Sequence, residues 1–202
     1  MRRIHLFIFV LFFALSAKVS MAQQGTSEFQ INYAPTLPLG EVTDFTGSFS
    51  FRGFSADYSY RIKKHFSVGF GTGVSTYYEN VPGIASEQIV ENGKIVTITG
   101  KRFNYTNSIP FLATGTYFLE PEGQIQPYLG LGIGGYYVMK WAELGMYSLR
   151  DNNFVFGLAP RAGVQMPLSY GVSMNLGAQY NATFGESPFS SLDFRVGLAW
   201  KF

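Results

Sequence analysis

A catalytic serine needs a histidine to take its proton and an acid to orient that histidine. This chain has two histidines, His5 and His65. His5 sits in an apolar amino-terminal stretch, and His65 falls in a short turn between two alternating segments. Cysteine is absent, so the chain offers no thiolate nucleophile, no disulfide framework and no Cys/His transition-metal cluster. Two glycine runs, Gly69-x-Gly-x-Gly73 and Gly130-x-Gly-x-Gly134, superficially resemble phosphate loops. No helical pattern follows either of them, so they read as close-packing positions. No catalytic, cofactor or metal residue is assigned, and no enzyme activity is expected.

The remaining candidates are charges that share one face of alternating segments: Asp57, Arg61, Arg102, Arg161, Asp193 and Arg195, with Lys201 beyond them. Read as function, they could line an ion path. Read as structure, they are paired charges that fill an interior, because a buried charge requires a partner. The second reading is preferred, with Asp57 and Asp193 as natural partners for the arginines. Long side chains such as Tyr128, Tyr136 and Gln179 would fill space vacated by the glycines.

The elements that must position these residues are strands. Eight segments alternate with period two, which puts successive side chains on opposite faces. They run at about 28–37, 51–62, 66–78, 102–119, 126–140, 153–167, 172–184 and 192–202. In the third, Phe66, Val68, Phe70, Val74 and Tyr78 alternate with Ser67, Gly69, Gly71, Gly73 and Ser75. No helical period competes after residue 22. Turns near 63–65, 120–123 and 169–171 are short, whereas those near 38–50, 79–101, 141–152 and 185–191 are long. Aromatic residues gather at both ends of the segments, as two membrane interfaces would require. The polar face is built of small residues, which suit a narrow lumen, and the large apolar residues suit lipid. A soluble lipocalin-like barrel is the competing architecture. Pro110 and Pro160 fall mid-strand, where a bulge or local loss of pairing is expected.

The amino-terminus reads as a secretory leader. Arg2 and Arg3 precede an apolar run, Ile4 to Ala17, and Ser20-Met21-Ala22 offers a cleavage site after Ala22. The run is too short for a membrane helix, which needs about 20 residues. The leader holds Arg2, Arg3 and Lys18 and no acid, so residues 23–202 carry twelve basic and thirteen acidic side chains. That balance gives no support to nucleic-acid binding. Residues 1–22 are therefore assigned as signal peptide and 23–202 as one β domain.

The last strand carries the most specific motif. Arg195, Gly197, Trp200 and Phe202 fill a polar-x-Gly-x-x-aromatic-x-aromatic pattern. It resembles the terminal signal of bacterial outer-membrane β-barrels that the barrel-insertion machinery reads. With the strand pattern, the whole chain after the leader resembles the small eight-stranded barrels of the OmpA/OmpX type, without a periplasmic domain. The resemblance implies an all-β, eight-stranded antiparallel up-and-down transmembrane β-barrel in the outer membrane, in contact with outer-membrane lipid and expected to be a monomer. Barrels of this kind serve as anchors, adhesins, narrow pores and lipid-modifying enzymes, so fold does not settle function. A lipid-A deacylase of this kind needs a His-Ser pair near the outer leaflet, and His65 falls at the other end. The first expectation is a non-enzymatic envelope-structural or surface-interaction role with a plugged lumen. The alternatives are a narrow pore for small or apolar solutes and a lipid-modifying enzyme. Asn92-Gly93, between β-branched flanks, reads as the type I′ turn of a surface hairpin that could recruit a partner.

Overall fold

The computed structural model describes residues 25–91, 94–144, 147–185 and 188–202. The assigned signal peptide and the Asn92-Gly93 turn lie outside them. Period-two alternation becomes nine β elements: β1 (Ser27–Tyr33), β2 (Thr36–Leu39), β3 (Gly53–Lys63), β4 (Phe66–Glu91), β5 (Lys94–Phe118), β6 (Gln126–Leu144), β7 (Tyr147–Ser169), β8 (Val172–Phe184) and β9 (Ser190–Lys201). Sequence neighbours from β3 to β9 pair antiparallel in order, and β1 bonds to both β3 and β9, so the sheet closes. β1 and β2 both pair with β9 and form two halves of one stave, interrupted at Ala34-Pro35. The result is the expected eight-staved antiparallel barrel. At the seam, Ser27 and Phe202 exchange backbone hydrogen bonds of 2.9 Å each way.

The faces sort as a membrane barrel requires. Leu129 is 57% exposed and Phe70 48%, whereas the lumen residues Asn32 and Asn175 are 0% and 1% exposed. Apolar outside and polar inside is the reverse of a soluble lipocalin, and it suits a wall set in lipid.

Both mid-strand prolines interrupt pairing on one side only. β4 and β5 pair up to Thr72–Phe111 and resume at Ser75–Ser108 in the same register, leaving Pro110 out of that ladder. β7 and β8 skip Pro160 in the same way, between Leu158–Ala182 and Arg161–Gln179. A ring nitrogen has no proton to donate, so the ladder breaks locally without slipping. The Thr72 hydroxyl donates to the Pro110 carbonyl at 2.8 Å and gives it a partner.

The strands continue through 79–101, as the expected surface hairpin requires, and the loop expected at 141–152 is paired strand as well. β4 and β5 stay paired to Glu91–Lys94, with a register shift between Val81 and Ala85 where Gly83 takes φ of 95°. β6 and β7 stay paired to Leu144–Tyr147, which replaces the loop expected at 141–152. Tyr105 stacks on Trp141 at 5.0 Å and extends the sheet on its outer face. Cross-strand aromatic pairs of this kind stabilise the ladder on its outer face.

Candidate functional site

Buried charges meet in the lumen. Odd-numbered residues of β3, β7, β8 and β9 and even-numbered residues of β1, β5 and β6 point inward, which sets Asp57, Arg161 and Arg195 facing one another. Asp57 Oδ1 accepts from Arg161 Nη1 at 3.0 Å, and Asp57 Oδ2 accepts from Arg195 Nη2. One carboxylate on β3 thus braces two guanidinium groups from β7 and β9, across the barrel. Arg161 Nη2 also donates to Thr116 Oγ1 at 2.6 Å. Arg195 donates to Gln179 Oε1 at 3.1 Å and to Ser55 Oγ at 2.7 Å. All three charged side chains are below 10% exposed.

Asp193 departs from expectation. It forms no ion pair with an arginine among the described residues. It accepts instead from Thr36 Oγ1 at 2.5 Å, Asn181 Nδ2 at 2.7 Å and Ser191 Oγ at 3.1 Å. Short neutral donors reach it first, because Arg195 turns toward Asp57. A chain of amides and phenols links the two acids: Tyr136 OH and Gln179 Nε2 both donate to Asn181 Oδ1, at 2.9 and 2.8 Å. Tyr128 OH donates to Asn175 Oδ1 at 2.9 Å, and Asn175 donates on to Asn32 at 3.0 Å.

The other two expected network members stand apart from Asp57. Arg61 lies near the short-turn end with its guanidinium 4.2 Å above the Phe118 ring. It lines a 40 Å³ cavity beside Glu28 and Lys201, which are themselves 3.9 Å apart. Arg102 lies at the opposite mouth, where Nε donates to Asn104 Oδ1 at 2.9 Å and the guanidinium covers Phe45 at 5.9 Å. Strand parity gave both residues the right face but not the height along the lumen.

The cap was not foreseen. Residues 40–48 were expected to be an outer loop. They turn through a short 3-10 helix, Gly40–Asp44, and fold inward over the mouth. Thr46 Oγ1 donates to Thr106 Oγ1 at 3.1 Å, Asn104 Nδ2 donates to the Phe45 carbonyl at 2.8 Å, and the Gly47 amide donates to Glu79. Val42 and Phe189 enter from two different loops and pack with Tyr77, Leu112, Tyr136, Val138 and Ala159 in an apolar layer. The lumen therefore has two storeys, a charged and amide-rich one and an apolar one above it. The cavity around the Asp57 brace measures about 20 Å³, room for a single water.

His65 is more constrained than a solvated turn residue would be. Its Nδ1 lies 2.8 Å from the Phe118 carbonyl, and its ring stacks on Tyr117 at 5.6 Å. Of the terminal motif, Arg195 points into the lumen. Gly197 comes so close to β1 that a Cβ there would lie 2.0 Å from the Ile31 carbonyl oxygen. Trp200 and Phe202 face outward at the short-turn rim.

Solved structures that share this architecture include three small outer-membrane proteins. The attachment invasion locus protein Ail of Yersinia pestis, in complex with the heparin analogue sucrose octasulfate, is 14% identical over 89% of this chain and 100% of its own, with a TM-score of 0.53. OprG from Pseudomonas aeruginosa is 14% identical over 89% of this chain and 97% of its own, with a TM-score of 0.55. Neisserial surface protein A is 16% identical over 88% and 97%, with a TM-score of 0.52. At these identities the likeness is one of fold. No curated protein matches the sequence. The family model for the outer membrane protein beta-barrel domain matches residues 7–202, nearly the whole chain. With a closed eight-staved wall, an apolar outer face and a polar lumen, this chain belongs to the outer membrane protein β-barrel family.

Proposed function

We propose that this barrel is a non-enzymatic, monomeric outer-membrane protein with an envelope-structural or surface-interaction role, and that its lumen does not conduct. The observation that carries the reading is the Asp57 brace. A carboxylate bonded to Arg161 and Arg195 fixes side chains from three staves across the lumen, beneath a mouth covered by residues 40–48. Clearing a path would strand buried charges, which costs several kcal/mol. The ribbon formed by β4 and β5, paired to Glu91–Lys94, supports a surface role. It carries the pairing well past the nine to eleven residues that a tilted strand needs to cross a bilayer.

A second reading, a narrow path for small or apolar solutes, rests on the wall beside Pro110. A cavity of about 20 Å³ there touches both lipid-face Phe54 and Val74 and lumen-face Asp57 and Asp193. It is too small for any solute larger than water. Liposome swelling separates the two readings: vesicles holding the refolded chain should swell in small sugars no faster than empty ones. Swelling above that level would move the function to solute passage.

A further inference from the structure

The charges inside the barrel do not balance. On the lumen face below the cap, Arg61, Arg161, Arg195 and Lys201 stand against Glu28, Asp57 and Asp193. Asp57 takes both Arg161 and Arg195. Glu28 pairs with Lys201 at 3.9 Å. Asp193 is held by neutral donors. Arg61 is the cation left over: among the described residues its guanidinium forms no ion pair and no hydrogen bond. A charge withdrawn from water calls for a counter-charge.

Arg61 is also held in place. Its guanidinium lies 4.2 Å above the Phe118 ring, and Phe118 is itself buried. Contact with a ring face fixes the cation, and a guanidinium is a rigid fork of N–H donors. The fork borders a cavity of about 40 Å³ at the short-turn end, lined also by Thr26, Glu28, Ser59, Ser67 and Lys201. Strand register groups these residues. Arg61 is the cross-strand partner of Ser67, Ser59 that of Glu28, and Glu28 that of Lys201. The Ser59 and Ser67 hydroxyls bond to no other described residue, so each is able to turn its O–H into the cavity. A single water needs only about 10–15 Å³, so the space is larger than water alone requires. One surplus positive charge, a pinned donor fork and two hydroxyls suit a small monovalent anion.

We infer that the short-turn mouth of the lumen binds one small anion of the halide class. Arg61 and the Ser59 and Ser67 hydroxyls donate to it, and Lys201 adds charge from the far side while holding Glu28 back. The site lies at the end of the barrel opposite the cap and the ribbon of β4 and β5, so it is independent of the surface role proposed above.

The test uses the full chain refolded in uncharged detergent micelles, with chloride binding read from the broadening of the chloride NMR line. Ionic strength is held constant with a bulky sulfonate salt too large for the cavity. The parent chain should broaden the line in a saturable way, and bromide should compete. Arg61→Gln should weaken binding by about tenfold, the loss of one charge-assisted hydrogen bond. Lys64→Gln makes the same change of charge at the same rim, on a side chain that is 59% exposed, and should bind as the parent does. Heat-modifiability checks the fold of each variant. If Arg61→Gln does not fold, the double variant Ser59→Ala, Ser67→Ala keeps every charge and should still weaken binding. Broadening that does not saturate in the parent chain would overturn the site. So would unchanged binding in folded Arg61→Gln or, where that variant does not fold, in the double serine variant. An equal loss in Lys64→Gln would overturn it as well, by reducing the effect to diffuse surface charge.

Discussion

At the residue scale, Asp57 is the group on which the lumen depends. Removing it leaves Arg161 and Arg195 charged, buried and facing each other. Asp57→Ala should destabilise the folded barrel by about 3–5 kcal/mol, measured by urea unfolding from vesicles. Adding Arg161→Met and Arg195→Met should recover much of that loss, because it removes the stranded charges. A loss below about 1 kcal/mol in the single variant would mean that the brace is solvated. On the outer face, Leu131→Arg should cost about 2–4 kcal/mol near the bilayer midplane. A polar side chain at Gly132 should act differently, since a Cβ there meets Ala159 and Leu112 at 3.2 Å inside the lumen. If Leu131→Arg costs no more than Leu131→Ile, the outer face does not meet lipid. Much of this scale was legible in the sequence. Parity alone put Asp57, Arg161 and Arg195 on one face. It could not rank partners, so it gave Asp193 an arginine where three short donors are closer. Nor did it single out Tyr77, which lies on the lumen face beside the more conspicuous Tyr78 and is fully buried.

At the element scale, the terminal strand β9 closes the ring. It pairs with β8 on one side and with β1 and β2 on the other. Phe202 ends the terminal motif for which an assembly role is proposed, and it sits exposed at the short-turn rim. Phe202→Asp should lower the yield of heat-modifiable protein in the outer membrane while leaving translation unchanged; an unaltered yield would refute the role given to the motif. The ribbon of β4 and β5 is separable by the same logic. Deleting residues 85–99 removes no part of the wall below Val81–Arg102, so barrel folding should persist. If the ribbon binds a surface partner, the same deletion should abolish that binding. Strand existence and the two proline interruptions could be read in advance, because a period of two and a missing N–H are local properties. The inward fold of residues 40–48 could not. A non-periodic segment carries no signal of which way it turns, and Val42 and Phe189 find their apolar partners only once the barrel exists.

At the scale of the whole molecule, the barrel buries amides and charges and shows its apolar side to lipid. Its lumen is then filled mostly by polar side chains that pair with one another, with Arg161 Nε, Arg195 Nε and Gln165 Oε1 left without a protein partner. Eight staves leave an interior only wide enough for side chains. The Asp57 brace and the cap at 40–48 occupy it at two heights, with a cavity of about 20 Å³ around the brace. The most direct test is single-channel recording of the refolded chain in planar bilayers at several voltages. A closed lumen predicts no steady conductance for the parent chain, and openings in the variant Asp57→Ala. Large, steady currents through the parent chain would contradict the account.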